Sequence, residues 1–290
     1  ELAKIGQRLE TVSVQEAGGT TKCVEQGTRL AEKLLREASG MNRESVDCSE
    51  LILGLECGGS DAFSGLTANP AAGVASDLLV AEGGTAIFTE TTEMLGAEHI
   101  LAKRAADAGV GKKVYERIAA AEDKAKSMGM DIRGSQPSPG NIEGGLTSIE
   151  EKSLGAIVKG GTTPIKGVCE YGERPQGKGL FILDGPGQEP KAVTGLAAAG
   201  AQVILFSTGI GAPQGFPFVP VIKVTANPQT YQRLSGHMDL YVDIAAQADH
   251  LQLGQALFDE TLAVASGKRT KAELLGYGNF PDIWVTGTTF

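Results

Sequence analysis

The chain has 290 residues, 41% of them hydrophobic, a mean hydropathy near zero and a formal net charge of -9. That length allows one large α/β domain or two ordinary ones, and the acidic balance excludes a surface built to track nucleic-acid phosphates. The four cysteines, Cys23, Cys48, Cys57 and Cys169, form no CxxC pair, which excludes a local zinc ribbon and argues against a disulfide framework in so long a chain.

Residues 1–45 read as a lead-in βα unit. Thr11–Val14 is a strand candidate, Gln15–Thr20 a loop, and Lys22–Ala38 an amphipathic helix carrying Val24, Leu30, Leu34 and Leu35 and closed by Gly40. A first half, residues 46–170, follows. Leu51–Leu55 and Thr85–Thr89 are apolar runs of buried-strand length, and Pro70–Ala81 between them has helical spacing, with Asn69 suited to the N-cap and Gly83-Gly84 as its stop. The loop Glu56–Asn69 gathers Cys57, Ser60, Asp61, Ser64, Thr67 and Asn69 at the carboxyl end of the first strand, and the second strand ends in Glu90, Thr91, Thr92 and Glu93. In open parallel sheets ligands bind at that edge. A loop needed only as a connection could be about 2–6 residues long.

Gly96–Ala106 and Gly111–Met128 read as helices, the second charged along a solvated face. Met130–Gly145, with SQPSPGNIEGG, has no periodicity and reads either as a surface linker or as a long loop delivered onto the capped N-terminus of the next helix, where backbone N–H groups could receive an anion. Ser148 and Glu151 then make a capping-box pattern ahead of a helix over Ile149–Lys159, ended by Gly160-Gly161. In the second half, residues 171–290, Gly179–Asp184 is a strand, Pro190–Ala199 a helix and Gln202–Ser207 a strand, repeating the order of the first half. Phe218–Thr225 resumes a strand, Asn227-Pro228 caps a short helix, Asp239–Ala245 is the last strand, and Leu251–Ala265 is a closing helix. Trp284, in the tail, reads as packing. The fold expected is a three-layer, mainly parallel, Rossmann-like α/β sheet with two similar βαβ halves.

The chemistry is narrowed by what is missing. There is no G-x-S-x-G elbow and no P-loop, and Gly209-Ile210-Gly211 is followed by Pro213, Gly215 and Pro217, which prevent the helix a dinucleotide fingerprint must open. NAD and FAD are therefore not expected. His99, His237 and His250 lie in no motif. What remains is a pocket of hydroxyls, amides and carboxylates (Ser60, Asp61, Thr67, Asn69, Glu90, Glu93, Asn141, Thr208) with Lys152 and Lys159 available. Such groups suit a polyhydroxylated or carboxylated small molecule, with a hard cation as one way of holding its oxygens. No apolar run reaches membrane-span length and no signal-peptide pattern opens the chain, so a cytoplasmic protein without a membrane partner is expected.

LGLECGGSDAFSGLTANPAAGVASDLL, GGTAIFTETTEMLGAEHILAKRA, SPGNIEGGLTSIEEKSLGAIVKGGTTP and FSTGIGAPQGFPFVPVIKV together resemble the C-terminal catalytic region of the altronate/galactarate dehydratase family, which also contains sulfolactate sulfo-lyases. The resemblance implies a lyase that eliminates water, or sulfite, from a hydroxy acid to leave a 2-keto-3-deoxy product. It also implies a divalent cation, Fe²⁺ or Mn²⁺ being expected. Carried onto this chain, it marks Cys57, Asp61, Glu90 and Lys152 as catalytic. Gly58, Gly59, Ser60, Thr67, Asn69, Glu93, Asn141, Thr208 and Gly209 are marked as substrate-binding. Lys152 is read as a base or carboxylate anchor, Asp61 and Glu90 as proton or metal handlers, and the Gly58 and Gly59 N–H groups as an oxyanion site. No metal ligand is assigned. Full-length relatives of this kind carry upstream regions with His- and Cys-containing motifs that are not seen here, and Glu56 stands where a glutamine is common. The expectation is a C-terminal domain of a longer protein, beginning as it does at Glu1, whose metal site is completed by upstream domains or a companion subunit. A homodimer is allowed, and the competing reading is a non-catalytic structural module.

Overall fold

The computed structural model describes residues 8–243, 249–278 and 281–285. Its contacts divide the chain into one unit up to Val46 and a second from Asp47 onward. In the first, a single turn of helix, α1 (Val14–Ala17), leads through Gly18 and Gly19 into α2 (Thr20–Ser39). The strand expected over Thr11–Val14 is not formed. Ser13 instead caps α1 by accepting the Glu16 N–H, and Gly18 closes the turn in the left-handed region.

The second unit is built on a seven-stranded parallel sheet. Its strands are β1 (Ile52–Gly58), β2 (Thr85–Phe88), β3 (Ile165–Cys169), β4 (Gly179–Leu183), β5 (Val203–Thr208), β6 (Val221–Thr225) and β7 (Leu240–Tyr241), in the order β3-β4-β2-β1-β5-β6-β7. The helices are α3 (Asn69–Ala81), α4 (Glu98–Lys103), α5 (Ala108–Ser127), α6 (Ile132–Ser135), α7 (Pro139–Glu143), α8 (Ile149–Ile157), α9 (Glu189–Ala198), α10 (Pro228–Leu234), α11 (His250–Ala265) and α12 (Lys271–Leu275).

Alternation along the strands sorts the core into two layers. Leu53, Leu55, Phe88, Ile182 and Leu205 pack with residues of α3, α5, α8 and α11, whereas Ile52, Ile87, Phe181, Ile204 and Phe206 pack with Val193 and Leu196 of α9. Every residue of β1 is buried, as expected of a central strand covered on both faces. Fully buried side chains such as Leu53, Leu55 and Leu79 contribute roughly 1.5–3 kcal/mol each. The β1–α3–β2 unit joins neighbouring strands over the first face. The β4–α9–β5 unit crosses the opposite face and bridges the intervening β2 and β1, so the two halves share order and sheet but not strand adjacency. Chain direction across the sheet therefore reverses between β1 and β5, a topological switch point.

Three further sequence expectations change. β3 was not foreseen: Gly167 interrupts its apolar pattern, Lys166 is exposed, and its register to β4 shifts after Ile165. The stretch Met130–Gly145 is not a bare linker but holds α6 and α7, the latter fixed by a Ser138/Asn141 capping box. The closing strands are shorter than read, β6 starting at Val221 and β7 covering Leu240–Tyr241, while Ile244 and Ala245 lie outside the described residues. Among the described residues no helix is long and apolar enough to cross a membrane.

Candidate active site at the β1–β5 crevice

At the carboxyl end of β1 the chain does not form the open loop expected. Asp61 caps a helix that starts at once: its Oδ1 accepts the Ser64 N–H (2.7 Å) while its own N–H donates to Ser64 Oγ (2.9 Å). One π-helical turn, Ser64–Ala68, follows and runs into α3 without a break. Pro70, which has no N–H to donate, sits where the winding tightens. Asn69 is consequently helical and is not an N-cap, so its amide is available to the site.

That amide organises the thiol. Asn69 Nδ2 donates to Cys57 Sγ (3.3 Å) and to the Gly155 carbonyl (2.7 Å), and its Oδ1 accepts the Ser207 hydroxyl. Cys57 Sγ also shares a hydrogen bond with Ser60 Oγ (3.2 Å). The thiol is 1% exposed, and burial pushes its pKa up, against the pull of Lys159. Burial thus favours the neutral thiol of Cys57 over a nucleophilic thiolate.

Beyond β2 the backbone turns sharply. Glu90 has φ +83°, the one non-glycine residue with positive φ among those described. Its Oε2 accepts the Cys57 N–H (3.1 Å) and is bonded by Lys159 Nζ, while Oε1 has no partner among the described residues. Burial, helped by Glu93 and opposed by Lys159, raises the Glu90 pKa to about 7. Burial opposes the charge on Lys159, but Glu90, Cys57 and Glu93 together carry its pKa above the ordinary value, so it stays an ammonium.

One turn later Glu93 repeats the arrangement. Its Oε1 is 2.8 Å from Lys152 Nζ, which also donates to Gln136 Oε1 (3.1 Å) and Asn141 Oδ1 (3.1 Å), and Glu93 Oε2 has no partner among the described residues. Asn141 in turn donates to the Ser60 carbonyl (2.9 Å), tying α7 to the loop. Glu93, Lys152 and Gln136 form part of the wall of a cavity of about 1180 Å³ that extends past Arg117, Lys124 and Trp284. Trp284 packs edge-on to Tyr171, as read from the sequence.

The remaining expected residues divide. Both oxygens of Asp61 are engaged, Oδ2 accepting from Asn227 Nδ2 (2.8 Å), and its side chain lies against Gly209, where a Cβ would come within 2.2 Å of it. Thr67 is buried on the π turn. Gly59, at φ +57°, accepts the N–H groups of Gly209 and Ile210. Gly58 is bare because Glu189 Oε1 and the Phe206 ring lie 2.3 and 2.6 Å from where its Cβ would be. Thr208 alternates away from the thiol and its hydroxyl accepts the Gly211 N–H (2.9 Å); Ser207, one residue earlier, reaches Asn69 instead.

Sequence reasoning left Lys159 outside its site assignment and missed Ser207, Gln136, Asn227 and Glu189. Lys159 carried a signal, since its Gly160-Gly161-Thr162-Thr163 sequel is held on all sides. Asp77 accepts the Thr162 and Thr163 N–H groups, Arg104 donates to the Gly160 and Thr163 carbonyls, and Gly73 lets the Val158 carbonyl approach. The three histidines stay out of the cluster: His99 is exposed, His237 stacks on Tyr277 and His250 meets the Leu66 carbonyl.

The described residues do not by themselves fit a divalent cation. No group of three or more His, Cys, Asp or Glu side chains comes together, and both glutamates already face ammonium groups.

The profile for "D-galactarate/Altronate dehydratase, C-terminal" matches residues 48–288. The altronate dehydratase of Bacillus subtilis (strain 168) is 40% identical over 254 residues, 86% of this chain and 51% of that protein. The galactarate dehydratase (L-threo-forming) of Escherichia coli (strain K12) is 41% identical over 87% of this chain and 48% of its own length. The (2R)-sulfolactate sulfo-lyase subunit beta of Chromohalobacter salexigens is 39% identical over 91% of this chain and 69% of that subunit. The chain thus spans about half the length of the two dehydratases. The chain belongs to the D-galactarate/altronate dehydratase family of hydro-lyases, whose C-terminal region it carries.

Proposed function

We propose that this chain supplies the proton-handling part of a lyase that dehydrates a sugar acid to a 2-keto-3-deoxy acid. The observation that carries the reading is Glu90: buried, held in a left-handed turn, one oxygen fixed by Lys159 and the Cys57 N–H, the other free. With its pKa raised to about 7 by burial, it exchanges a proton readily at neutral pH.

Ionised Glu90 removes the proton from the carbon bearing the substrate carboxylate. The electron pair forms the C=C bond, and the C–O bond to the hydroxyl on the next carbon breaks. The departing hydroxide takes the proton of the neutral Cys57 thiol and leaves as water. After release Glu90 gives up its proton and the Cys57 thiolate regains one by exchange with solvent, and the enol tautomerises to the keto acid. The Lys159 ammonium, with Lys152 one turn of the site away beside Glu93, offsets the negative charge that gathers on the substrate. Asp61 enters as a positioning residue, since both its oxygens hold the protein.

A divalent cation, Fe²⁺ or Mn²⁺, remains part of the proposal only with ligands from outside the described residues, and no step above runs through it. Upstream domains or a companion subunit are the proposed source. The part-length match to the dehydratases and the name "subunit beta" of the sulfo-lyase relative support that assembly. The test is a periodate–thiobarbiturate assay for 2-keto-3-deoxy acid, run on the protein with altronate, galactarate or sulfolactate and with or without Fe²⁺ or Mn²⁺. Formation of keto acid from a sugar acid that is lost in a folded Glu90→Gln variant is the expected result. Unchanged turnover in that variant removes Glu90 from the reaction.

A further inference from the structure

Around the loop after β1 the usual sorting of side chains is inverted. The π turn buries Ser64 and Thr67, leaving Leu66 and the preceding Phe63 exposed. α7 buries Asn141 but exposes Ile142, and α8 buries Lys152 and Ser153 but exposes Leu154. Ser64, Asn141 and Lys152 point inward because they bond Asp61, the Ser60 carbonyl and Glu93, which turns their apolar neighbours out. Gly65 and Gly155 meet with no side chain between them, a Cβ on the first falling 3.3 Å from the Cα of the second, so the segments bearing Leu66 and Leu154 adjoin. Two further exposed residues border the same loop. Ile210 covers Gly59, and Leu251 follows His250, whose ring meets the Leu66 carbonyl. These six side chains are 46% to 72% exposed. A lone exposed apolar residue is ordinary, but this many gathered on one loop make a patch of the kind that marks an interaction surface.

Within one helical turn along the chain of any of the six, the exposed charged side chains are Glu143, Glu150, Glu151 and Asp249, and all are acidic. A charge-free apolar centre inside a charged rim is the anatomy of a protein–protein interface. We infer that this face docks the part of the family's polypeptide that the chain does not span, through a surface of that part that is apolar at its centre and basic at its rim. The chain spans about half of each dehydratase relative and 69% of the sulfo-lyase subunit beta, and the matching profile is the C-terminal one, so the remainder lies mainly upstream. A second copy of this chain fits the face less well. A two-fold contact sets the same patch against itself and brings acidic rim onto acidic rim. The patch surrounds the carboxyl end of β1, so docking there brings the upstream part to the mouth of the crevice. The inference rests on the family assignment and on the assembly proposed above, not on dehydration itself.

The experiment is hydrogen-exchange mass spectrometry on this chain by itself and on the full-length enzyme that contains it. Peptides over Phe63–Leu66 and Glu150–Leu154 are expected to exchange about tenfold more slowly in the full-length enzyme, while α9, on the opposite face of the sheet, keeps its rate. Leu66→Glu combined with Leu154→Glu is expected to restore the rates of the isolated chain. Both side chains are exposed, so an unchanged urea midpoint for that variant confirms that the fold is kept. Equal rates in the two proteins, or protection confined to α9, overturn the inference. A dimer of the isolated chain in sedimentation that Leu66→Glu dissociates makes a second copy the occupant and overturns it as well. Protection without keto-acid formation removes the dehydratase reading and leaves the docking face standing, whereas keto acid formed with the face unprotected does the reverse.

Discussion

Glu56 and Lys223 stand on either side of the Phe206 ring, in one row across β1, β5 and β6. Both are essentially inaccessible to solvent, and neither Glu56 oxygen nor Lys223 Nζ has a hydrogen-bond partner among the described residues. Lys223 Nζ lies 5.8 Å from the ring centroid, a cation–π distance. Burial raises the Glu56 pKa well above the ordinary value, with Glu90 and Glu189 adding to it, and burial lowers that of Lys223 to about 8.

The Glu56 shift has a sign that can be measured. A carboxyl whose folded pKa is raised adds no penalty below its unfolded pKa of 4.5. As pH rises through the interval between the two values, the unfolded chain sheds its proton first and stability falls. Glu56→Gln removes that dependence. Urea unfolding of the two proteins is expected to agree near pH 4 and to diverge above it in favour of the glutamine variant, by up to about 1.4 kcal/mol per pH unit. Parallel stability profiles from pH 4 to pH 8 would show that Glu56 titrates normally.

Glu90 gives the pH dependence of the reaction. As a base it works ionised, so keto-acid formation is expected to rise with pH through about 7. Lys159 lowers the Glu90 pKa, so Lys159→Met is expected to move that limb to higher pH by at least one unit, with Lys159→Arg partly restoring it. A pH–rate profile that does not shift in Lys159→Met separates Lys159 from Glu90.

Asn69→Ala deletes the amide that holds Cys57, Ser207 and the Gly155 carbonyl. A cost of about 1–3 kcal/mol is expected from the groups left unpaired. Alkylation of Cys57 by iodoacetamide, followed by mass spectrometry, is expected to become faster than in the unaltered protein. An unchanged rate means that Asn69 does not shield the thiol.

Gly209→Ala puts a methyl group 2.2 Å from the Asp61 side chain, with nowhere to go while Ser64 and Asn227 hold that carboxylate. A loss of about 1–3 kcal/mol is expected. Limited proteolysis should show cleavage appearing between Gly59 and Ser64. Retained stability and an uncut loop would mean that the β5 turn gives way instead.

How legible this was follows the range of the interactions. β1, α3 and β4 could be read because an apolar run, a capping residue or a helix-stopping glycine lies within a few positions. β3 could not, since its single glycine and exposed lysine erase the alternation that marks a strand. The signature loop could be located but not its conformation: Asn69 has the composition of an N-cap, and only the helix begun by Asp61 turns it inward. Glu90 and Glu93 were nameable as candidates, whereas their assignment to Lys159 and Lys152 depends on where α8 lands. Asn227 was read as the cap of α10, which it is through Oδ1, but nothing nearby in sequence announces that its Nδ2 holds Asp61.

β1 is a wall one backbone thick with a charged compartment on each side. Cys57 faces the Glu90–Lys159 compartment, Glu56 faces the Glu189–Lys223 compartment, and Gly58, without a side chain, is the thinnest point between them. Glu56 is influenced by Glu90 and Lys159 as well as by Glu189, so the wall insulates poorly. Charge changes at Glu189 or Lys223 therefore act first on Glu56, the one group of the second compartment that already feels Glu90 and Lys159 through the wall.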